Sequence, residues 1–181
     1  MENLTIKSET AQSYTIVGHG IVWGGSDLEG EHFEPDTDLW LDKLTPTPMV
    51  LFRHGQDEAI GKSVVGRVVK TVKDDIGLWI EAQIDKAHEY ADAIRELISE
   101  GLLGLSSAAP AHLTEVKDGK ILSWPIVEFS LTQAPCEPRT IPVMQMKELG
   151  ELSPTIKSLL PSDPVIELAI EDGERIIRIR N

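Results

Sequence analysis

A single cysteine, Cys136, stands among the 181 residues. One thiol rules out an internal disulfide and any zinc cage built from the cysteines of one chain. The reading expected for it is a small packed side chain. No apolar run approaches the roughly 20 residues that a bilayer crossing needs. Residues 1–12 are polar, carry Glu2, Lys7 and Glu9, and lack the basic-then-apolar layout of a secretory signal, so a cytosolic chain is expected. Basic residues are outnumbered, with 17 Lys and Arg against 30 Asp and Glu and a net charge of -13. A surface of that sign repels phosphate backbones, which argues against nucleic acid as a partner.

Several chemistries lack their signature. There is no Gly-x-Ser-x-Gly elbow, no His-Glu-x-x-His pair and no phosphate-binding glycine loop ending in Lys-Ser or Lys-Thr. The acidic series Asp27, Glu29, Glu31, Glu34, Asp36 and Asp38 lacks the glycine and closing glutamate of a calcium loop. It reads as a solvated loop. Nothing in the sequence calls for a metal or a cofactor.

What is present suits one globular core: 41% hydrophobic and 26% charged residues. Residues 13–24 are β-branched and aromatic with glycine breaks and predict a strand with a bulge. Met49-Val50-Leu51-Phe52 is a short buried strand delivering Arg53-His54-Gly55 at its end. Residues 64–72 and 76–84 predict a hairpin, with Leu78, Ile80, Ala82 and Ile84 on one face. Residues 86–100 switch to helical spacing, with Asp85 as cap and Gly101 just past the end. Asp118-Gly119 predicts a second hairpin. Over 125–131, Val127, Phe129 and Leu131 face one way and Ile126, Glu128 and Ser130 the other. Residues 144–164 read as a linker rich in Pro, Ser and Glu, and Asp172-Gly173 sits between apolar runs in a terminal hairpin or short helix. The expected class is mostly β with helices, arranged as an α+β domain, with closure into a barrel as one arrangement. The expected division is a domain over 1–143 and a linker with tail over 144–181.

Acyl transfer needs a nucleophile, a base and donors for the developing oxyanion. Among the histidines, His32 lies in the acidic loop, His88 falls on the outer side of the expected helix, and His19 sits within a glycine-flanked strand. His54 differs, because it stands where an apolar strand stops. Ser106 and Ser107 are the nucleophile candidates, followed by the small residues Ala108 and Ala109. Glu128, pointing away from the apolar face, is placed to orient an imidazole.

Three blocks in order resemble the prohead proteases of tailed phages, a family related to the herpesvirus assemblins. The first is Leu51-Phe52-Arg53-His54-Gly55 with Ile60-Gly61 and Gly77-Leu78-Trp79; the second is Glu100-Gly101-Leu102-Leu103-Gly104-Leu105-Ser106; the third is Glu128-Phe129-Ser130-Leu131 with Pro135 and Pro138. Gly20 to Asp27 is similar to the family's first strand and turn. The resemblance spans roughly residues 14–142. It implies His54 as base, Ser106 as nucleophile and Glu128 as third member, with His112 in reserve because the herpesvirus relatives use a second histidine there. It departs at Ala108, where the family has glycine. Arg139, shortly after the third block, is a further candidate for oxyanion support through water. The resemblance also implies a seven-stranded β-barrel of assemblin type ringed by helices. It implies a serine endoprotease acting on scaffold or major-capsid-protein segments, and on itself, inside the assembling prohead in the host-cell cytoplasm. Some relatives form homodimers. The contrasting expectation is a protease-like assembly factor without activity.

Overall fold

The computed structural model describes residues 4–43, 46–141, 165–171 and 174–180. The chain forms two compact units, Met1–Met146 and Lys147–Asn181.

The first unit is built on one seven-stranded sheet. Its strands are β1 (Thr5–Glu9), β2 (Ser13–Val22), β3 (Met49–Phe52), β4 (Gly66–Lys73), β5 (Gly77–Asp85), β6 (Gly104–Ala108) and β9 (Glu128–Thr132), in the spatial order β1-β2-β5-β4-β3-β9-β6. Every neighbouring pair is antiparallel except β3 with β9, which run parallel. A two-stranded ribbon, β7 (Glu115–Lys117) with β8 (Lys120–Ser123), stands apart from this sheet. Its turn uses Asp118 and Gly119 at φ 52° and 79°, the mirror-image geometry that tight hairpins favour.

Alternation along the strands decides where the core lies. Leu78, Ile80, Ala82 and Ile84 of β5 are fully buried, as their period-two spacing requires. Phe129 and Leu131 of β9, Val50 and Phe52 of β3, and Ile16 of β2 join them. The sheet curls, so that β2 near one edge packs on β9 and β6 at the other. Gly18 lies under Leu105: a Cβ placed there would sit 3.6 Å from Leu105 Cδ1. Gly20 lies under Phe129, where a Cβ would be 2.4 Å from Cε1 of the ring. The β2–β5 register shifts between His19 and Ile21, so the bulge expected from the glycines falls at the point of closest approach.

Two expectations need correction. The sheet ends at β1 and β6, and no ladder joins these edges among the described residues; the barrel is therefore a curled open sheet. Its two ends meet through side chains packed on glycines rather than through backbone hydrogen bonds. Nor is it ringed by helices: the described residues hold one α-helix, α1 (Ala91–Ser99), with three short 3-10 turns. That helix starts five residues later than its periodicity suggests, because Asp85 caps a separate turn, accepting from Ala87 N at 2.9 Å, and the true N-cap is Tyr90. Its end is as expected. Gly101 has φ 69°, and the bonds Gly101 N–Ile98 O and Leu102 N–Leu97 O form the paired closure of a Schellman motif. The helix buries Ala91, Ile94, Leu97 and Ile98.

The sequence does not announce strand β1, whose five residues are nearly all exposed. It is an edge strand held by pairing with β2 and by Leu4, which is buried against Gly18. The second unit contains the antiparallel pair β10 (Val165–Glu171) and β11 (Glu174–Arg180), so the terminal apolar runs form a hairpin and not a helix. The linker expected over 144–164 lies outside the described residues. No helix among the described residues is long and apolar enough to cross a membrane.

The Gly20–Phe129 contact yields a stability test. Gly20→Ala is expected to lower the unfolding free energy by about 1–3 kcal/mol, as overpacking does. Phe129→Leu on that background should return part of the loss. Urea denaturation of the two single variants and the double variant measures the coupling.

Candidate active site

Strand β9 organises the site. Across the β6–β9 ladder Ser106 pairs with Ser130 and Ala108 with Glu128. Directly paired residues project from the same face, so Ser106, Ser130 and Glu128 share one. Phe129, Leu131 and Leu105 occupy the other, towards the core. Ser107 therefore points away from Ser106, and its hydroxyl accepts a hydrogen bond from Trp124 Nε1 at 3.1 Å. Both serines line the same cavity, from opposite faces of β6.

Strand β3 brings the histidine to that face. Leu51 pairs with Ser130 and Phe52 with Leu131 in the parallel ladder. The chain then leaves its extended course: Arg53, His54 and Gly55 have φ of 48°, 54° and 70°. Three successive left-handed residues turn the backbone sharply, and the two non-glycine ones cost about 1–3 kcal/mol each. Gln56 N closes the turn on Arg53 O at 2.9 Å. The His54 N–H donates to Ser130 Oγ at 2.6 Å, and His54 Nδ1 lies 2.5 Å from Glu128 Oε1.

That last contact fixes the tautomer. A carboxylate only accepts, so Nδ1 carries the proton, and the lone pair is left on Nε2. The Glu128 side chain is 11% exposed and that of His54 31%: the carboxylate is enclosed while the ring reaches solvent. His54 and Ser106 line one cavity of about 220 Å³. Ser106 is itself largely buried. No hydrogen bond joins its hydroxyl to His54 among the described residues, and such bonds are commonly long until substrate closes them.

Other candidates fall elsewhere. His112 is exposed in the 3-10 turn Ala111–Leu113 and does not line the cavity; Glu128 holds the position at Nδ1. Arg139 is committed. Its Nε and Nη2 donate to Glu137 at 2.8 and 2.5 Å, and Nη1 donates to the Trp23 carbonyl at 3.2 Å. Its guanidinium thus pins the Glu137 carboxylate to the turn after β2. Ala108 sits in the extended strand β6 and is not among the residues of positive φ, so an alanine strains nothing there.

A second Ser–His contact exists and has the wrong polarity. His88, which precedes α1 and does not lie on it, places Nε2 2.9 Å from Ser63 Oγ. Its Nδ1 accepts from Tyr90 N at 3.3 Å. The proton therefore resides on Nε2, which donates to the serine and cannot act as its base. His19 is buried, with Nε2 2.9 Å from Asp74 Oδ2, and its Nδ1 has no hydrogen-bond partner among the described residues.

The acidic loop is less solvated than expected. Isolated bridges pair Trp23 with Phe33, His32 with Lys120 and Asp38 with Ser123, laying the loop along β8. Asp27, Glu29 and Glu31 thereby line the same cavity as His54 and Ser106. Burial, then the charges of Asp27 and Glu29, raise the Glu31 carboxyl above its ordinary range. Sequence reasoning missed this wall, although the two runs of alternating acids, Asp27 to Glu31 and Glu34 to Asp38, were visible. Among the described residues no group of three or more His, Cys, Asp or Glu is gathered as a metal site.

Cys136 also lines the cavity. Burial, followed by a hydrogen bond to the Asp27 carboxyl and the charges of Asp27 and Glu29, pushes its thiol up to about 12. A thiol held protonated is a poor nucleophile.

No protein-family model matches the chain, and no curated protein matches it in sequence. Among solved structures it is similar to KSHV protease in complex with a hexapeptide phosphonate inhibitor, at 17% identity and a TM-score of 0.44. The alignment covers 67% of this chain and 59% of that one, so this chain spans less than two thirds of that protease. The site stands on its own geometry, whatever the weight of that likeness.

The thiol supplies a test by pH. Iodoacetamide should alkylate Cys136 in the folded chain at least about 100-fold more slowly at pH 8 than after unfolding in urea, because only the thiolate reacts. The folded rate should climb steadily as pH rises towards 11. Mass spectrometry of quenched samples measures both rates.

Proposed function

We propose that the chain is a serine endopeptidase in which Ser106 attacks the peptide carbonyl, His54 accepts its proton and Glu128 orients the imidazole. The observation that carries this reading is the short His54 Nδ1–Glu128 Oε1 contact of 2.5 Å. It leaves the basic nitrogen of His54 free in a cavity that the ring shares with Ser106. The steps follow from that arrangement. Nε2 takes the hydroxyl proton as Oγ bonds to the carbonyl carbon. Glu128 stabilises the imidazolium without taking its proton. The imidazolium then protonates the leaving amine, and water, deprotonated in turn by His54, releases the acyl group.

The particular substrates proposed come from the resemblance of the three sequence blocks to prohead proteases. They are scaffold or capsid-protein segments inside an assembling shell, and the chain's own segment after Met144. The acidic net charge supports a protein partner over nucleic acid.

A serine-directed phosphonate carrying a reporter tests the chemistry. Labelling of the wild-type chain should map to Ser106 and vanish in Ser106→Ala. In His54→Ala it should slow by at least about 10³-fold, the scale on which such groups act. Ser107→Ala should label within about threefold of wild type. Absence of labelling in the wild type from pH 6 to 9 would instead identify an inactive assembly factor.

Self-cleavage is tested separately by following the intact mass of the purified chain. Wild type is expected to lose a C-terminal piece cut beyond residue 143, and Ser106→Ala to keep it under the same conditions. An intact tail in protein that labels fully at Ser106 removes the self-cleavage proposal alone.

A further inference from the structure

We propose that the buried hydroxyl of Ser130 is a positioning group for His54, holding the backbone of the base while Glu128 holds its ring. The proposal deepens the peptidase reading and rests on it for its kinetic consequence, though not for its structural one.

Ser130 is fully buried, and its Oγ accepts the His54 N–H at 2.6 Å. It lies on β9 two residues after Glu128 and on the same face. One strand therefore grips His54 at two points, the amide nitrogen and ring Nδ1. Directly across the ladder from Ser130 is Ser106. The residue that anchors the base is thus the cross-strand neighbour of the nucleophile, and this pairing sets the offset between the two reacting groups.

Three features show that the anchor is needed. The turn carrying His54 is left-handed at Arg53, His54 and Gly55, a course that L side chains adopt only when surroundings impose it. It follows Phe52, the last residue of β3 paired with β9, so the ladder holds its start and not His54. Within the turn, Gln56 N bonds to Arg53 O, and Arg53 lies 3.5 Å from Asp57. Both are internal to residues 53–57, and neither ties the turn to the strand bearing Glu128 and facing Ser106. The Ser130 bond ties the backbone of His54 itself to that strand. Glu128 alone would let the ring swing about its carboxylate, and a displacement near 1 Å at reacting atoms can cost about 100-fold in rate.

The test uses Ser130→Ala, which removes the acceptor, and Ser130→Thr, which keeps it. Ser130→Cys, whose thiol is a weak acceptor, replaces Ser130→Ala if that variant fails to fold. Proton NMR of chains with nitrogen-15 in histidine reads the low-field resonance of His54 Nδ1–H, which depends on its alignment with Glu128 and not on activity. Loss or marked shift of that resonance in Ser130→Ala, with retention in Ser130→Thr, is the expected result. In the same samples kcat should fall about 10- to 100-fold in Ser130→Ala with KM within about threefold, and Ser130→Thr should recover most of it. An unchanged resonance in Ser130→Ala overturns the proposal, as does equal loss in the alanine and threonine variants of folded protein. If the wild type neither labels at Ser106 nor hydrolyses peptide, the peptidase reading fails, while the resonance comparison still decides whether Ser130 positions His54.

Discussion

The register between β6 and β9 is the constraint on which the site depends. Ser106 opposite Ser130 and Ala108 opposite Glu128 put a hydroxyl and a carboxylate on one face of two adjacent strands. Because side chains alternate with a period of two, a slip of one residue would move Ser106 to the face of Phe129 and bring Ser107 beside Glu128. The core guards against that slip. Phe129 is seated on Gly20, and Leu131 and Leu105 are buried beside it, so any slip would expose these side chains and bury polar ones. Packing on one face thereby sets the chemistry on the other.

The electrostatics of Glu128 follow from its enclosure. A carboxylate taken out of water is costly unless partnered, and the imidazole N–H is the partner provided. The same bond that offsets this cost dictates which nitrogen of His54 keeps its lone pair. The contrast with His88 is instructive. There the ring nitrogen facing away from the serine accepts from a backbone N–H instead of donating to a carboxylate, and the tautomer reverses. A serine within 3 Å of an imidazole is therefore insufficient evidence of activation; what lies behind the ring decides it.

Much of this was legible in the sequence, for identifiable reasons. The alternation of β5 and β9, the Asp118-Gly119 turn, the Gly101 helix stop and the placement of His54 at a strand end are local signals, and each appears in the structure. What was not legible depends on partners distant in the chain. Strand β1 has almost no hydrophobic pattern and exists because β2 offers it an edge. The way the sheet's two ends meet depends on Gly18 and Gly20 lying against Leu105 and Phe129, which no window on the sequence contains. Which serine shares a face with Glu128 required a register. So did the role of Ser130, whose burial and bond to His54 join residues 76 positions apart.

A division of labour follows from which elements carry which groups. His54, Ser106 and Glu128 sit on or at the ends of strands tied into one sheet, where packing limits their movement. The acids that line the same cavity come from the loop between β2 and β3, tied down by bridges to β8 and by Arg139 bonding to the Trp23 and Gly25 carbonyls. Loops accept substitution more readily than strands that share a core. The fold thus allows the walls of the cavity to change while the spacing of His54, Glu128 and Ser106 stays fixed, since the wall and those three side chains are held by different contacts. Arg139 is the exception that links them. By binding Glu137 of the cavity lining and the carbonyls after β2 together, it couples the position of the acidic wall to the turn that follows β9, the strand on which the site is built.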